Sequence, residues 1–449
     1  MQITPIRHPL RAAVRVPGSK SLTNRALLIA ALANGTTRLT NALFSDDSCY
    51  FAKALQTLGF DVQLSEARHE MTVTGLGGEI PVKKAELFIG NAGTAARFLS
   101  AFLTLGNGEY ILDVEPRMRE KPIGDLADAL TQLGCVIKPV LYKDDRPLTT
   151  DHTCTARRRK GGPSSVVNRQ ICPPVKIIAS GLPGGKTKVA GNVSSQFLSA
   201  LLMIAPYAKS PVEIEVATEL NSKPYVDMTI AIMQDFGVKI ERQGYGRFIT
   251  QPSHFFPLSS YSIESDASAA SYFFAAPAIC HGTVRVENIS RKSRQGDIDF
   301  LDVLQQMGCS VKEGDNFIEV MGTNSLHGVD VDMRDISDTA QTLAAIAPFA
   351  SSPTRIRGIA FIRAKETDRV HAVCTELLRL GVRVEEHEDG MTIYPCEETR
   401  PATIQTYNDH RMAMAFSLIG LRAEGITIEN PSCVSKTFPA FFEVLETLR

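Results

Sequence analysis

The chain has no Cys-x-x-Cys pair, although nine cysteines are scattered through its 449 residues. An odd number without ligand spacing argues against a disulfide scaffold or a zinc knuckle and for reduced thiols that serve packing. Cys135 and Cys309 each follow an LG or MG dipeptide, where any small apolar residue would do. There is also no excess of one charge: 48 basic residues meet 49 acidic ones, for a net charge of −1. That balance excludes bulk attraction to nucleic acid or to a membrane surface, so any basic site must be a local cluster. No uninterrupted apolar run approaches the length of a membrane span, and the N-terminus has no charged-then-apolar signal pattern. These absences predict a soluble, cytoplasmic protein. A complete phosphate-binding P-loop is missing too. "SGLPGGKT" has Ser180 where the first glycine belongs, and the following "TKVAGNV" reads as strand rather than helix. The segment is read as a hairpin turn.

What is present is a repeat. At 449 residues, with 44% hydrophobic and 22% charged content, the chain exceeds what one core usually supports. The phrases "ALQTLGFDV", "ALTQLGCVI", "IMQDFGVKI", "VLQQMGCSV" and "LLRLGVRV" each read as an amphipathic helix end, a glycine past the last turn, then a strand. The glycines are Gly59, Gly134, Gly237, Gly308 and Gly381, and "FFEVLETLR" puts Arg449 at the next position in the series. A second series keeps the same beat: a polar turn feeding an almost wholly apolar helix. Its starts are Lys20, Thr94, Ser195, Asp266, Asp338 and His410. Both series step by roughly seventy residues, with one gap about thirty longer at the same place. The excess is assigned to an insertion at 144–171, whose Arg157–Lys160 run reads as part of a solvated surface loop.

Helices apolar nearly all round must be buried, whereas amphipathic ones can face solvent. Six units therefore predict an α/β fold of two domains, three units each, with sheets outside and apolar helices within. The chain is expected to cross between domains near Gly18–Lys20 and again near Glu264–Asp266. One domain is then 20–264, and the other 1–19 plus 265–449, completed by the first strand.

The polar helix starts carry Lys20, Ser21, Arg25, Thr94, Ser194, Ser195, Gln196, His410 and Arg411. One such start could be a simple cap. Six related by pseudo-symmetry can meet in a single cleft, where free N–H groups and cations suit a small, multiply anionic ligand. Ser21 and Arg25 are four apart and share a helical face. "RAKETDR", Arg363–Arg369, and "SKTFP", Ser435–Pro439, add further charge, and Glu366 lies among it as a possible acid–base group. "RAKETDR" follows the strand-like "TRIRGIAFI".

At this point the chain resembles the 5-enolpyruvylshikimate-3-phosphate synthase family of enolpyruvyl transferases. The resemblance rests on "PGSKSLTNRALLIAALA", "LFIGNAGTAARF", "EPRMREKPIG", "VSSQFLSALLM", "SKPYVDMT", "DASAASYF", "KSRQGDIDF", "RAKETDR", "YNDHRMAMAFSL" and "SKTFP", in family order from Pro17 to Pro439. It implies two inside-out α/β-barrel-like domains of three units each, closing on substrate. It implies transfer of the enolpyruvyl group of phosphoenolpyruvate to a hydroxyl of shikimate 3-phosphate, with phosphate released and no metal or organic cofactor. It also implies a shikimate-pathway enzyme of the branch that glyphosate inhibits. As partners it implies those two small molecules only, with no nucleic acid or membrane, and a monomer.

By the same resemblance, Lys20 lies between the two substrates. Ser21, Arg25, Ser194, Ser195, Gln196, Ser222, Tyr225, Asp338 and Lys365 match binders of shikimate 3-phosphate, with Ser194, Ser195 and Ser222 at its phosphate and Arg25 at its carboxylate. Gly93, Thr94, Lys121, Gln196, Arg369, Arg411 and Lys436 match the phosphoenolpyruvate side. Asp338 matches the general base, and Glu366, with Lys436 beside it, the group that protonates the methylene carbon. Three positions depart from the pattern. Lys121 stands where arginine is usual, Phe361 where an asparagine contacts substrate, and Phe98 where proline often follows the "GTAxR" turn. The sister transferase acting on UDP-N-acetylglucosamine shares donor and architecture, but its loop cysteine has no counterpart in "EPRMREKPIG". An RNA-associated role is the third reading, and only the basic insertion supports it.

Overall fold

The structure, a computed structural model, describes residues 1–140 and 171–449. Nearly all of the stretch expected as an insertion, Arg157–Lys160 included, therefore lies outside the described residues. Helices alternate along the chain in two kinds. The apolar kind comprises α1 (Lys20–Leu32), α3 (Gly93–Phe102), α5 (Ser195–Ile204), α7 (Ala267–Cys280), α9 (Ala340–Ile346) and α11 (His410–Arg422). The amphipathic kind comprises α2 (Asp46–Thr57), α4 (Gly124–Gln132), α6 (Lys223–Asp235), α8 (Phe300–Gln306), α10 (Arg369–Arg379) and α12 (Phe441–Glu446). Every residue of α7 and of α9 is buried, as apolarity on all sides requires. The six expected starts each fall within two residues of the first residue of an apolar helix.

The amphipathic helices end as their sequences dictate. Gly59, Gly134, Gly237, Gly308 and Gly381 all have φ between +81° and +102°. A left-handed residue just past a helix turns the chain back into a strand, and a Cβ there is strained.

Among the described residues, five of the six units carry a four-stranded sheet of one recurring order. An outer strand runs parallel to its neighbour, and the remaining pairs are antiparallel. In the first unit the order is Tyr261–Ser262, Asn34–Thr40, Glu70–Leu76, Asp61–Ser65. In the fourth it is Leu10–Val14, Gly282–Val286, Ile318–Met321, Ser310–Glu313. The outer strands of these two sheets are thus exchanged along the chain: the N-terminal strand joins the C-terminal half, and the strand at 261–262 joins the N-terminal half. Among the described residues the sixth unit has only the parallel pair Ala402–Ile404 and Ile426–Ile428. Strands alternate buried and exposed residues, with the buried side on the helices.

Two hydrophobic clusters result. One runs from Leu22 to Ile263; the other joins Ile3–Val16 to residues from Ala267 onward. The chain passes between them twice, and the passages lie side by side. Gly18 and Ser265 form a β-bridge, Ser19 N–H donates to Glu264 O at 2.8 Å, and Asp266 N–H donates to Pro17 O at 2.8 Å. A Cβ on Gly18 would come within 1.9 Å of the Asn41 carbonyl oxygen, so only glycine fits this crossing.

Two expectations need correction. "SGLPGGKT" is not a hairpin turn. Strand Val175–Ser180 belongs to the second sheet and strand Gly185–Val189 to the third, so the segment links two units. Gly181 and Gly184, at φ +82° and +95°, let it swing from one sheet to the next. "TRIRGIAFI" is strand only over Thr354–Arg357 and breaks at Gly358, φ +74°. Ala360–Ala364 is a 3₁₀ turn, and α10 begins only at Arg369, where Asp368 accepts from His371 N–H at 3.0 Å. Lys365 and Arg369 therefore do not share one helical face.

Candidate active site

The starts of α1, α3, α5 and α11, and the 3₁₀ turn Ser337–Thr339 that leads into α9, face one another where the two clusters meet. Between them is a cleft with about 770 Å³ of atom-free space, part of it open to solvent. From the N-terminal half it is lined by Lys20, Asp47, Gly93, Thr94, Arg97, Lys121, Ser194 and Gln196. From the C-terminal half come Asp338, Phe361, Lys365, Glu366, Arg369 and Arg411. Among the described residues, six cations thus meet three carboxyl groups. A second cavity of about 470 Å³ adjoins the first and shares Lys20 and Arg411 with it. Ser21, Tyr225, Ser268 and Asp297 are among its walls.

The cations are held by a buried ion-pair network. Arg369, 2% exposed, reaches Asp409 at 2.8 Å, Glu366 at 2.7 Å and Asp338 at 3.3 Å. Asp409 also caps α11, accepting from Arg411 N–H at 2.9 Å. Arg411 reaches Asp338 Oδ2 at 2.6 Å and donates to the Asp338 carbonyl at 3.0 Å. Lys436 is 3.2 Å from Glu366 and donates to Asn91 O at 2.7 Å, from one half to the other. Arg117 crosses in the opposite sense, its Nε–H donating to the Glu366 carbonyl at 2.9 Å.

Two effects compete at each acid. Burial opposes ionisation of Asp338, but Arg411, Arg369, Lys365 and Lys20 outweigh it and hold the carboxyl well below the usual range. Burial likewise opposes ionisation of Glu366, and Arg369 and Lys436 overcome it. Both acids are therefore ionised. For Asp47 burial wins over Lys436 and Lys20, and its proton affinity is raised. Burial also lowers the basicity of Lys365 and Lys121.

The cavities bring together most of the residues singled out from the sequence. Lys20, Gly93, Thr94, Lys121, Ser194, Gln196, Asp338, Lys365, Glu366, Arg369 and Arg411 line the first, and Ser21 and Tyr225 the second. Gln196 bridges units two and three, donating to Thr94 Oγ1 at 3.3 Å. Four others stand behind the wall. Ser195 is the buried first residue of α5, and Ser222 the buried cap residue of α6 at φ +55°. Lys436 approaches through its Glu366 contact. Arg25, 1% exposed, turns inward. Its Nε–H donates to Thr229 Oγ1 at 2.7 Å, its Nη1–H to Ser21 O at 2.9 Å and its Nη2–H to Tyr225 O at 3.2 Å. Phe98, one of the departures from the family pattern, lies under that guanidinium, 5.3 Å from ring centroid to Cζ.

Asp47, Arg97 and Asp297 are wall residues that were not singled out. Asp47 is in the first turn of α2, where an acid reads as an ordinary dipole partner. Arg97 and Asp297 lie within the quoted motifs but carry no separate signal.

A sequence model of the EPSP synthase (3-phosphoshikimate 1-carboxyvinyltransferase) family matches residues 5–152 and 144–445. A 3-phosphoshikimate 1-carboxyvinyltransferase of Nostoc sp. is 49% identical over 440 residues, covering 98% of this chain and 97% of the relative. The enzyme of that name from Sulfurovum sp. is 47% identical over 448 residues, covering 99% and 98%. A solved EPSP synthase structure from Acinetobacter baumannii superposes with a TM-score of 0.78 at 23% identity, covering 99% of this chain and 97% of its own, which speaks to fold alone. With matches that span both halves and every wall of the cavity, the chain belongs to the EPSP synthase family.

Proposed function

We propose that this chain transfers the enolpyruvyl group of phosphoenolpyruvate to the 5-hydroxyl of shikimate 3-phosphate and releases phosphate. The observation that carries the reading is the convergence of Lys20, Arg369 and Arg411 on the two carboxylates Asp338 and Glu366 in one cavity. Each substrate brings a phosphate and a carboxylate, which suits a cavity with more cations than acids.

Asp338 is the proposed general base. Its Oδ2 is occupied by Arg411 at 2.6 Å and Tyr225 at 3.0 Å, whereas Oδ1 has only Arg369 Nη1 at 3.3 Å, which makes Oδ1 the freer atom to accept the hydroxyl proton. Glu366 is the proposed proton donor. It is ionised in the empty site, and its affinity for a proton rises once substrate anions draw Arg369 and Lys436 away from it. The protonated Glu366 then gives its proton to the methylene carbon. Positive charge develops at the central carbon, and the substrate oxygen attacks there as Asp338 takes its proton. The result is a tetrahedral ketal. Glu366 next recovers a proton from the new methyl group, the carbon–carbon double bond re-forms, and the carbon–oxygen bond to phosphate breaks. Lys20 and Lys436 balance charge on the two leaving or entering oxygens. Ser194, Ser195 and Ser222 are the proposed phosphate donors for shikimate 3-phosphate, and Arg25 and Lys365 its cations. Gly93, Thr94, Lys121, Gln196, Arg369 and Arg411 hold phosphoenolpyruvate.

The proposed domains are 20–264, and 1–19 with 265–449. The separate hydrophobic clusters and the paired crossing at Gly18 and Ser265 support that division. The active unit is proposed to be the single chain, since both walls of the cavity come from it. A cytoplasmic location is supported by the unpaired thiols buried at Cys135, Cys280, Cys309, Cys374 and Cys433. The test is phosphate release from phosphoenolpyruvate with shikimate 3-phosphate or with UDP-N-acetylglucosamine as acceptor. Turnover with the former alone is expected. Turnover with the latter alone would replace this reading by its sister reaction.

A further inference from the structure

Asp297 lies just upstream of α8, in the turn Gly296–Asp299, and is 3% exposed. Its Oδ2 is 2.9 Å from the Tyr225 hydroxyl, and that same hydroxyl is 3.0 Å from Asp338 Oδ2. A phenol has one hydrogen and cannot donate to both carboxylates. Ser268 on α7 also donates to Asp297 Oδ2, while the buried Oδ1 has no hydrogen-bond partner among the described residues. The two acids are therefore unequally served. Asp338 has Arg411 and Arg369 against it; Asp297 has no ion-pair partner within 4 Å among the described residues.

We propose that Asp297 is a positioning residue for Asp338: it carries a proton, gives it in a hydrogen bond to the Tyr225 oxygen, and so commits the Tyr225 hydrogen to Asp338 Oδ2. The order of donation is then Asp297 to Tyr225 to Asp338, with Ser268 donating into the start. A neutral acid leaves only a carbonyl oxygen unpaired at Oδ1, whereas an ionised one would bury an anionic oxygen without a donor. Asp338 Oδ2 becomes fully occupied, and Oδ1, held only by Arg369 Nη1 at 3.3 Å, is the atom left to take the substrate proton. The groups facing Asp297 are Tyr225 from α6, Asp338 from the turn before α9, Arg411 from α11, and, across the smaller cavity, Lys20, Asp266 and Tyr272. Burial, and then the charge of Asp338, push the Asp297 carboxyl up to about 7, against the pull of Arg411. The inference rests on the proposed base role of Asp338.

When Asp297 loses its proton, a second buried anion appears beside Asp338 and the Tyr225 hydrogen is contested. An anionic substrate then binds less well. Asp297→Asn keeps the donor toward Tyr225 and cannot ionise. The test is the pH dependence of kcat and of KM for shikimate 3-phosphate in the full-length protein, wild type beside the variant. Asp297→Asn is expected to keep kcat within about threefold at about pH 6. Between about pH 6 and about pH 8.5 the wild-type KM is expected to rise about fivefold more than that of the variant. Ionisation of the substrate's own phosphate is common to both proteins and cancels. Parallel profiles would overturn the proposal. A melting temperature at about pH 8.5 no lower than wild type is also expected, because the variant has no buried charge to stabilise; a purely structural aspartate would lower it. Should the variant not fold, infrared difference spectra of the wild type across pH 6 to 8 decide instead, roughly spanning the titration of a raised carboxyl. Loss of a protonated-carboxyl band is expected, and its absence rejects the assignment. An inactive wild type would instead refute the transferase reading.

Discussion

Arg411 Nη2 lies 2.6 Å from Asp338 Oδ2; Arg411 is in the first turn of α11, and Asp338 in the 3₁₀ turn that leads into α9, in the preceding repeat unit. A guanidinium this close keeps the acid ionised and fixes its direction. Asp338→Asn keeps the shape and removes the base. Its kcat is expected to fall by about 10²–10⁴, with KM for either substrate changed by less than about tenfold. Steady-state kinetics with each substrate varied in turn checks this. A fall in affinity with kcat preserved would assign Asp338 to binding alone.

Glu366 is held ionised by Arg369 and Lys436 even though burial resists it. A proton donor in that state must be recharged on the complex. Glu366→Gln is expected to lower kcat by about 10²–10⁴. It should also abolish deuterium uptake into the methylene of phosphoenolpyruvate in heavy water, read by mass spectrometry. Because its proton affinity is depressed in the folded protein, the stabilisation Glu366 contributes is present above the unfolded-state carboxyl range and is lost as pH falls through that range and below. The acid limb of the wild-type unfolding profile should accordingly flatten in the variant.

Arg369 has a structural task besides its place at the cavity. It is the cation on Asp409, which is 0% exposed and caps α11. Arg369→Ala strands that carboxylate. A loss of about 3–5 kcal/mol is expected in urea unfolding, the cost of an uncompensated buried charge. The double variant Arg369→Ala, Asp409→Asn should recover part of it, since the charge is gone though the cap is weaker.

Lys121 lines the cavity where the family usually has arginine, and burial lowers its basicity. A lysine presents one point charge, an arginine a fixed fork for phosphate or carboxylate. Lys121→Arg is expected to lower KM for phosphoenolpyruvate by about three- to tenfold with little change in KM for shikimate 3-phosphate. Equal shifts in both would mean that the residue acts on the cavity's overall charge.

Much of this was legible in the chain. The glycines past each amphipathic helix and the polar starts of the apolar ones report backbone needs that only a few residue types meet, so the six-unit repeat and the crossing near Gly18 could be read directly. Side-chain direction could not. The spacing of Ser21 and Arg25 correctly predicts a shared face, yet Arg25 turns back onto Ser21 O, Thr229 and Tyr225, and those partners come from α6. Asp47 and Asp297 escape notice for a related reason. One acid in a helix's first turn and one in a short turn look solvated until distant segments bury them. The Ser180–Thr187 link reads as a hairpin because a glycine-rich turn between two strands looks the same whether or not the strands pair.

The exchange of outer strands also shapes how the protein can be made. Strand Leu10–Val14 is made well before Gly282–Val286, its parallel partner among the described residues, whereas everything needed for the described part of 20–264 is already out by then. The middle of the chain can assemble while its beginning waits. Asn288 then clasps Val16 across 272 residues, donating to its carbonyl at 2.6 Å and accepting from its N–H at 3.1 Å. Late capture of that leading segment is a long-range closure, slow by nature. A circular permutant that places residues 1–19 directly after Arg449 would let the second half gather its pieces in order of synthesis.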